Sequence, residues 1–212
     1  MEFLTGVKEK ETIGIREILS GDYVGKTVKM NGAVHNIRDM GEFAFIILRK
    51  AEGLVQCVYE EGKTEFDLKD LKEESAVEVT GVIALEERAP QGFELRLTGI
   101  RVLSEPAETM PIAINKWKMN TSLETSLSLR PVSLRNVRER AKFKIQEGIV
   151  RGFREFLSSQ GFTEVHTPKI VSRGAEGGAN VFKLNYFNKK AELGQSPQFY
   201  KQMMVGVFDR VF

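Results

Sequence analysis

The chain has 212 residues, 42% of them apolar and 28% charged, which is the composition of a folded globular protein with room for one large or two small domains. No run of about eighteen apolar residues exists to span a bilayer, and the start, with Glu2, Glu9 and Glu11, lacks the apolar stretch of a signal peptide, so the sequence predicts a cytoplasmic protein. Charge is near balance overall but not locally: residues 1–105 carry 14 Lys+Arg against 20 Asp+Glu and residues 106–212 carry 17 against 9, which argues against bulk attraction of nucleic acid to the first half. Any RNA bound there must be read by a local face. A lone cysteine, Cys57, excludes an internal disulfide, and with only His35 and His166 beside it no metal-ligand cluster is visible.

Short apolar or alternating runs near 27–34, 43–49, 54–59, 76–85 and 93–103, punctuated by glycines such as Gly41, Gly53 and Gly92, predict five strands. Between the third and fourth, Thr64 stands before a helical pattern of Phe66, Leu68 and Leu71. Five strands with a helix in that place is the order of an OB-fold, a small all-β barrel that binds oligonucleotides, although another five-stranded barrel fits the pattern too. Phe45 and Gln56 fall on adjacent predicted strands. Together they suit an unpaired base, by stacking and by an amide on its edge; Phe45 taken alone reads more readily as a core residue.

From Pro106 to about 135 periodicity fades and a linker or hinge is predicted. A helix follows, with Ile145, Ile149, Phe153, Phe156 and Leu157 in one apolar stripe that reads as core packing, and Gly161 as its stop. Near the end, Ser196 is a good N-cap and Pro197 fits the first helical position. Gln198 and Lys201 then share one face, where an amide beside an ammonium could receive a carboxylate ligand or could simply be solvated.

Three segments carry a resemblance. Gln195-Ser196-Pro197-Gln198-Phe199-Tyr200-Lys201-Gln202 resembles the signature of aspartyl-tRNA synthetases, enzymes of class II; Gly161 to Ile170, with Pro168, resembles the first class II motif; Glu176-Gly177-Gly178-Ala179 with Phe182 resembles the loop that closes over the amino acid. Their order and spacing agree with that family over essentially the whole chain. The resemblance implies an OB-fold anticodon-binding domain at 1–105, a hinge at 106–135, and at 136–212 the α+β opening of a class II catalytic domain, an antiparallel sheet with helices. It implies that Phe45 and Gln56 hold the central uridine of the anticodon, with Arg49 near the same face. It implies that Glu176, Ser196 and Gln198 surround the ammonium of L-aspartate while Lys201 pairs with its side-chain carboxylate, and that Pro168 lies at a homodimer interface.

His35 and Pro90 fall where members of the family that charge both tRNA-Asp and tRNA-Asn differ from strict ones, so relaxed reading of the third anticodon base is expected; each residue also reads plainly, as a strand-end histidine and a turn proline. The implied chemistry is attack of the aspartate α-carboxylate on ATP, with Mg2+, then transfer to tRNA. The ATP-binding motif would begin after Phe212, so no cofactor is expected in this chain and it is expected not to activate aspartate by itself. A non-catalytic RNA-binding module is the reading from a different class, and an asparagine-specific synthetase the nearer rival, against which Lys201 argues.

Overall fold

The computed structural model describes residues 12–174 and 180–212. The chain divides into two compact units, Met1–Arg140 and Ala141–Phe212. In the first, a short helix α1 (Ile15–Ser20) precedes five strands, β1 (Thr27–Asp39), β2 (Phe43–Arg49), β3 (Leu54–Glu60), β4 (Ala76–Leu85) and β5 (Phe93–Ser104). They close into a barrel in the order β1-β2-β3-β5-β4, the β3–β5 pair parallel through Gln56–Glu94 and Val58–Arg96 and the rest antiparallel. Closure removes sheet edges and produces the five-stranded barrel the strand pattern predicts.

Alternating side chains from each strand fill the interior: Met30 and Val34, Ile46 and Leu48, Val55 and Cys57, Val77 and Val79, and Leu95 are fully buried. Ile15 and Ile18 of α1 join the same core. The Cys57 thiol is pushed far above its usual pKa, chiefly by burial, and is inert packing. Gly81 is obligatory here, because a Cβ would meet the Arg96 carbonyl oxygen at 2.4 Å where β4 slips register against β5.

Strand β1 runs five residues beyond the predicted end at 34. A bulge between Val34 and Asn36 explains this, since it breaks the alternation as the strand turns from β4, which it pairs through 27–33, to β2, which it pairs through 33–39. The helix expected after Thr64 is replaced by a single 3-10 turn, Leu68–Asp70, capped by the Asp67 carboxylate, which accepts from Lys69 N at 3.0 Å. Thr64 is instead buried, donating to the Leu97 carbonyl and accepting from Glu60 N, and Glu65 bridges Gly99, so the segment is pinned to β5. Local side-chain bonds here outcompete helix formation.

The stretch after β5 contains two short helices, α2 (Leu123–Ser128), capped by Ser122, and α3 (Arg130–Ser133), which carries Pro131 in its first turn. Asn136 is buried and does two jobs. Its amide donates to the Ile114 and Lys116 carbonyls at 2.9 and 2.7 Å, while its oxygen accepts from Arg138 N and Glu139 N and so caps α4 (Val137–Ser159).

In the second unit, α4 continues to Ser159 and is followed by β6 (Ile170–Val171), β7 (Lys183–Tyr186) and β8 (Lys189–Leu193), an antiparallel sheet in the order β6-β8-β7, and then by α5 (Gln198–Phe208). Residues 163–165 run beside 210–212, with Thr163 N donating to Arg210 O at 2.9 Å and Phe212 N to Thr163 O at 3.0 Å. The core-packing reading of the α4 stripe does not hold within this chain. Ile145, Ile149, Phe153 and Phe156 are 59–68% exposed, because helical spacing gathers them on one face that the described residues leave largely open, with Phe212 meeting the Phe153 ring edge-on.

Candidate nucleic-acid interface

Register sets an outward row across the barrel that the linear sequence does not display. Arg38 of β1 faces Phe45 of β2, Phe45 faces Val58 of β3, and Val58 faces Arg96 of β5. The next row is Asn36, Ile47, Gln56 and Glu94. Phe45 is therefore half-buried on the strand face, neither in the core nor free, and Phe43 stands edge-on to it with ring centroids 5.5 Å apart.

Gln56 lies diagonally from Phe45, and its orientation is fixed by chemistry. Its Nε2 donates to Glu94 Oε2 at 3.3 Å; a carboxylate cannot donate, so the amide oxygen must point away. Arg96 Nε donates to the other oxygen of Glu94, also at 3.3 Å. An aromatic ring, an oriented amide and two exposed guanidiniums, Arg38 and Arg96, are the components a single-stranded nucleotide needs: a platform, an edge partner and phosphate partners. Sequence reading missed Arg38, Glu94 and Arg96. Only the β1–β2 and β3–β5 pairings reveal them.

Arg49 lies on the same side of β2 as Phe45 and Ile47, further along the strand opposite Ala33, but its side chain is already engaged. Its guanidinium, 9% exposed, binds Glu74 with both nitrogens, Nη1–Oε1 2.5 Å and Nη2–Oε2 2.8 Å, and Nη1 also lies 3.2 Å from His35 Nδ1. Direct contact of Arg49 with RNA would leave the buried Glu74 short of its partner, a large cost. Arg135 adds a 3.0 Å bond to Glu74 Oε2, and Arg140 Nη1 donates to the Lys50 carbonyl at 2.7 Å, so this cluster fastens the segment after β5 to the barrel. Burial pushes the Glu74 carboxyl up, but the hydrogen bonds and charges of Arg49 and Arg135 outweigh it and hold its pKa below the ordinary value. Glu74 also adopts φ 69°, a backbone conformation that costs a residue with a side chain about 1–3 kcal/mol. His35, at the β1 bulge, is 5% exposed, and Pro90 is exposed in the β4–β5 turn, which closes at Gly92 with φ 76°.

In the second unit, α5 starts one residue later than predicted. Pro197 is the cap position, the Ser196 hydroxyl accepts from Gln198 N at 3.3 Å, and Lys201 N donates to the Pro197 carbonyl. Gln198 and Lys201 are exposed on the first turn. Glu176 lies outside the described residues. Both flanks of its segment are held close to the start of α5: Gly174 N donates to the Glu192 carboxylate at 2.7 Å and Gln195 Nε2 to the Asn180 carbonyl at 3.1 Å. Pro168 is exposed beside Lys169, whose carbonyl accepts from Gly194 N. Among the described residues no group of His, Cys, Asp and Glu could hold a metal ion, and no helix is long and apolar enough to cross a membrane.

Residues 122–212 match the family model described as tRNA synthetases class II (D, K and N), and residues 28–103 match the OB-fold nucleic acid binding domain. Residues 122–212 thus belong to a class II tRNA synthetase domain, and the chain has aspartate–tRNA(Asp/Asn) ligase homologues over most of its length. It is 47% identical over 188 residues to the aspartate–tRNA(Asp/Asn) ligase of Deinococcus radiodurans, covering 89% of this chain and 42% of that protein. Identity to the ligase of the same name from Thermus thermophilus is 43% over 190 residues, covering 90% of this chain and 44% of the other. Among solved structures it is similar to asparaginyl-tRNA synthetase from Pyrococcus horikoshii in complex with asparaginyl-adenylate, with TM-score 0.78, 32% identity, and coverage of 89% and 44%. The chain thus spans less than half the length of the curated relatives it matches. Its barrel is the OB-fold and its second unit the opening of a class II synthetase domain, with the strand and helix content expected of one.

Proposed function

We propose that this chain is the tRNA-reading and amino-acid-receiving part of an aspartate–tRNA ligase that charges both tRNA-Asp and tRNA-Asn. The observation that carries this reading is the 40–47% identity to proteins named aspartate–tRNA(Asp/Asn) ligase, continuous across both units. Residues 1–105 read the anticodon, 106–135 form the hinge, and 136–212 open the catalytic domain. Phe45 stacks on the central uridine, Gln56 hydrogen-bonds its edge, and Arg38 and Arg96 neutralise neighbouring phosphates. His35 and the Pro90 turn meet the third base. Arg49 acts on this site through other residues.

In the complete ligase, Glu176, Ser196 and Gln198 receive the aspartate ammonium, and Lys201 receives its side-chain carboxylate. Selectivity follows, because a ligand without that carboxylate leaves Lys201 unpaired in a closed site. ATP and Mg2+ belong to the complete enzyme, and the described residues offer no cluster for the metal. The complete enzyme acts in the cytoplasm as a homodimer with Pro168 at the interface.

The experiment is binding of RNA stem-loops to this chain and to Phe45→Ala and Gln56→Ala. Replacing the central uridine by cytidine should weaken binding to the parent chain, and the Gln56 variant should lose that discrimination. Equal binding of both stem-loops by the parent chain would contradict the reading.

A further inference from the structure

The cluster of Arg49, Glu74 and His35 contains a device that Phe45 and Gln56 do not explain. Arg49 Nη1 carries two protons; one is donated to Glu74 Oε1 and the other points to His35 Nδ1 at 3.2 Å. A guanidinium cannot accept a hydrogen bond, so His35 Nδ1 must present its lone pair, and a neutral imidazole unprotonated at Nδ1 carries its proton on Nε2. We propose that Glu74 and Arg49 are positioning residues that lock His35 as the neutral Nε2–H tautomer, making it a donor to the O2 carbonyl that cytosine and uracil share. This rests on the anticodon reading above.

The lock is held from several elements. Glu74 is anchored by Arg135 Nη1 at 3.0 Å and by its own N–H, which donates to the Val34 carbonyl beside His35 at 2.7 Å. The charged groups acting on the ring are Arg49 from β2, Glu74 from the loop before β4, and Arg140 from the start of α4. Burial first, then Arg49 and Arg140, oppose protonation and outweigh Glu74, so the His35 pKa is lowered. His35 borders a groove of about 560 Å³, whose walls include Glu73, Glu74, Met110 and Asn115. That is room for a nucleobase.

The chemistry explains relaxed reading. Cytosine and uracil differ at position 4, amino against carbonyl, and at N3, but both carry O2. A ring able to exchange tautomers could accept from the cytosine amino group and so favour one base. A ring fixed as a donor to O2 cannot separate them, and adenine offers it no carbonyl at all.

The test uses the full chain labelled with 15N, in which only His35 and His166 contribute imidazole signals and His35→Gln assigns them. Long-range 1H–15N correlations should show His35 as a single Nε2–H tautomer across about pH 6 to 8. In Glu74→Gln, where Arg49 loses its charged anchor, it should become a tautomer mixture, and with the Glu74 charge gone its pKa should fall further. Nδ1–H or a charged ring in the parent chain would overturn the lock without any variant needing to fold.

Stem-loops ending in C, U or A provide the RNA readout. His35→Gln, whose amide can accept from Arg49 and still donate, should bind the C and U forms alike. His35→Leu should lose about tenfold for both, the value of one hydrogen bond. Unchanged binding by His35→Leu would overturn the assignment to the base. Failure of the parent chain to bind any stem-loop would overturn the anticodon reading itself, with the spectrum still deciding the tautomer.

Discussion

The barrel and the second unit are built from similar apolar fractions of sequence but solve the burial problem differently. In the barrel, closure of five strands places every alternate side chain inside, and the outward rows are arranged before any ligand arrives: Gln56 is held by Glu94, and Arg49 by Glu74. In the second unit a three-stranded sheet and two helices leave Ile149, Phe153, Phe199 and Met203 exposed, and Gln198 and Lys201 stand on an open helical turn. The lesson is that a closed sheet can prearrange a recognition face alone, whereas a split α+β layer requires further surface to bury its stripe.

The largest effect that would break this comparison is on stability. Leu48→Ala in the barrel core should cost about 2–5 kcal/mol in chemical denaturation, while Ile149→Ala on the α4 stripe should change stability by no more than about 0.5 kcal/mol. Equal losses would mean that the stripe is packed in solution. Next in size, Phe45→Ala should weaken stem-loop binding by about 1–3 kcal/mol with its far-ultraviolet circular dichroism spectrum unchanged, since stacking and not core packing is removed. Unfolding of that variant would return Phe45 to the core.

A smaller effect separates the units by pH. His35 has a folded pKa below its ordinary 6.5 and Glu74 one below its ordinary 4.5, so for both groups the unfolded chain binds more protons. Their stabilisation is therefore present above those ordinary values and is lost as pH falls through the folded ones. Barrel stability should begin to decline below 6.5 and decline again below 4.5, and His35→Gln should remove the first step. The smallest effect belongs to Lys201→Met: on an exposed turn it should alter stability by no more than about 0.5 kcal/mol, yet under the proposed aspartate-receiving role it should abolish aspartate-dependent adenylate formation in a complete ligase. Retained activity would remove Lys201 from the aspartate site.

The fold was legible wherever the signal is local. Alternation located all five strands because each strand has one face in the core, and Ser196-Pro197 marked the start of α5 to within one residue. What failed depended on distant partners. Thr64 reads as a helix cap until its hydroxyl is seen on the Leu97 carbonyl, and the alternation of β1 stops at Val34 because a bulge resets its phase. The site divides the same way. Phe45 and Gln56 are recognisable from residue type and adjacent strands, but Arg38, Arg96 and Glu94 reach them only through pairing register, and the Arg49–Glu74 pair joins residues 25 apart in sequence. A motif can name Arg49; only packing reveals that its charge is already spoken for.

The most direct test of the central claim is the affinity of this chain for three anticodon stem-loops, ending in C, U or A, at two salt concentrations. The account predicts matching affinity for the first two, weak binding of the third, and a selectivity that persists when salt weakens all three. Binding of all three alike, or of the C form alone, would contradict it.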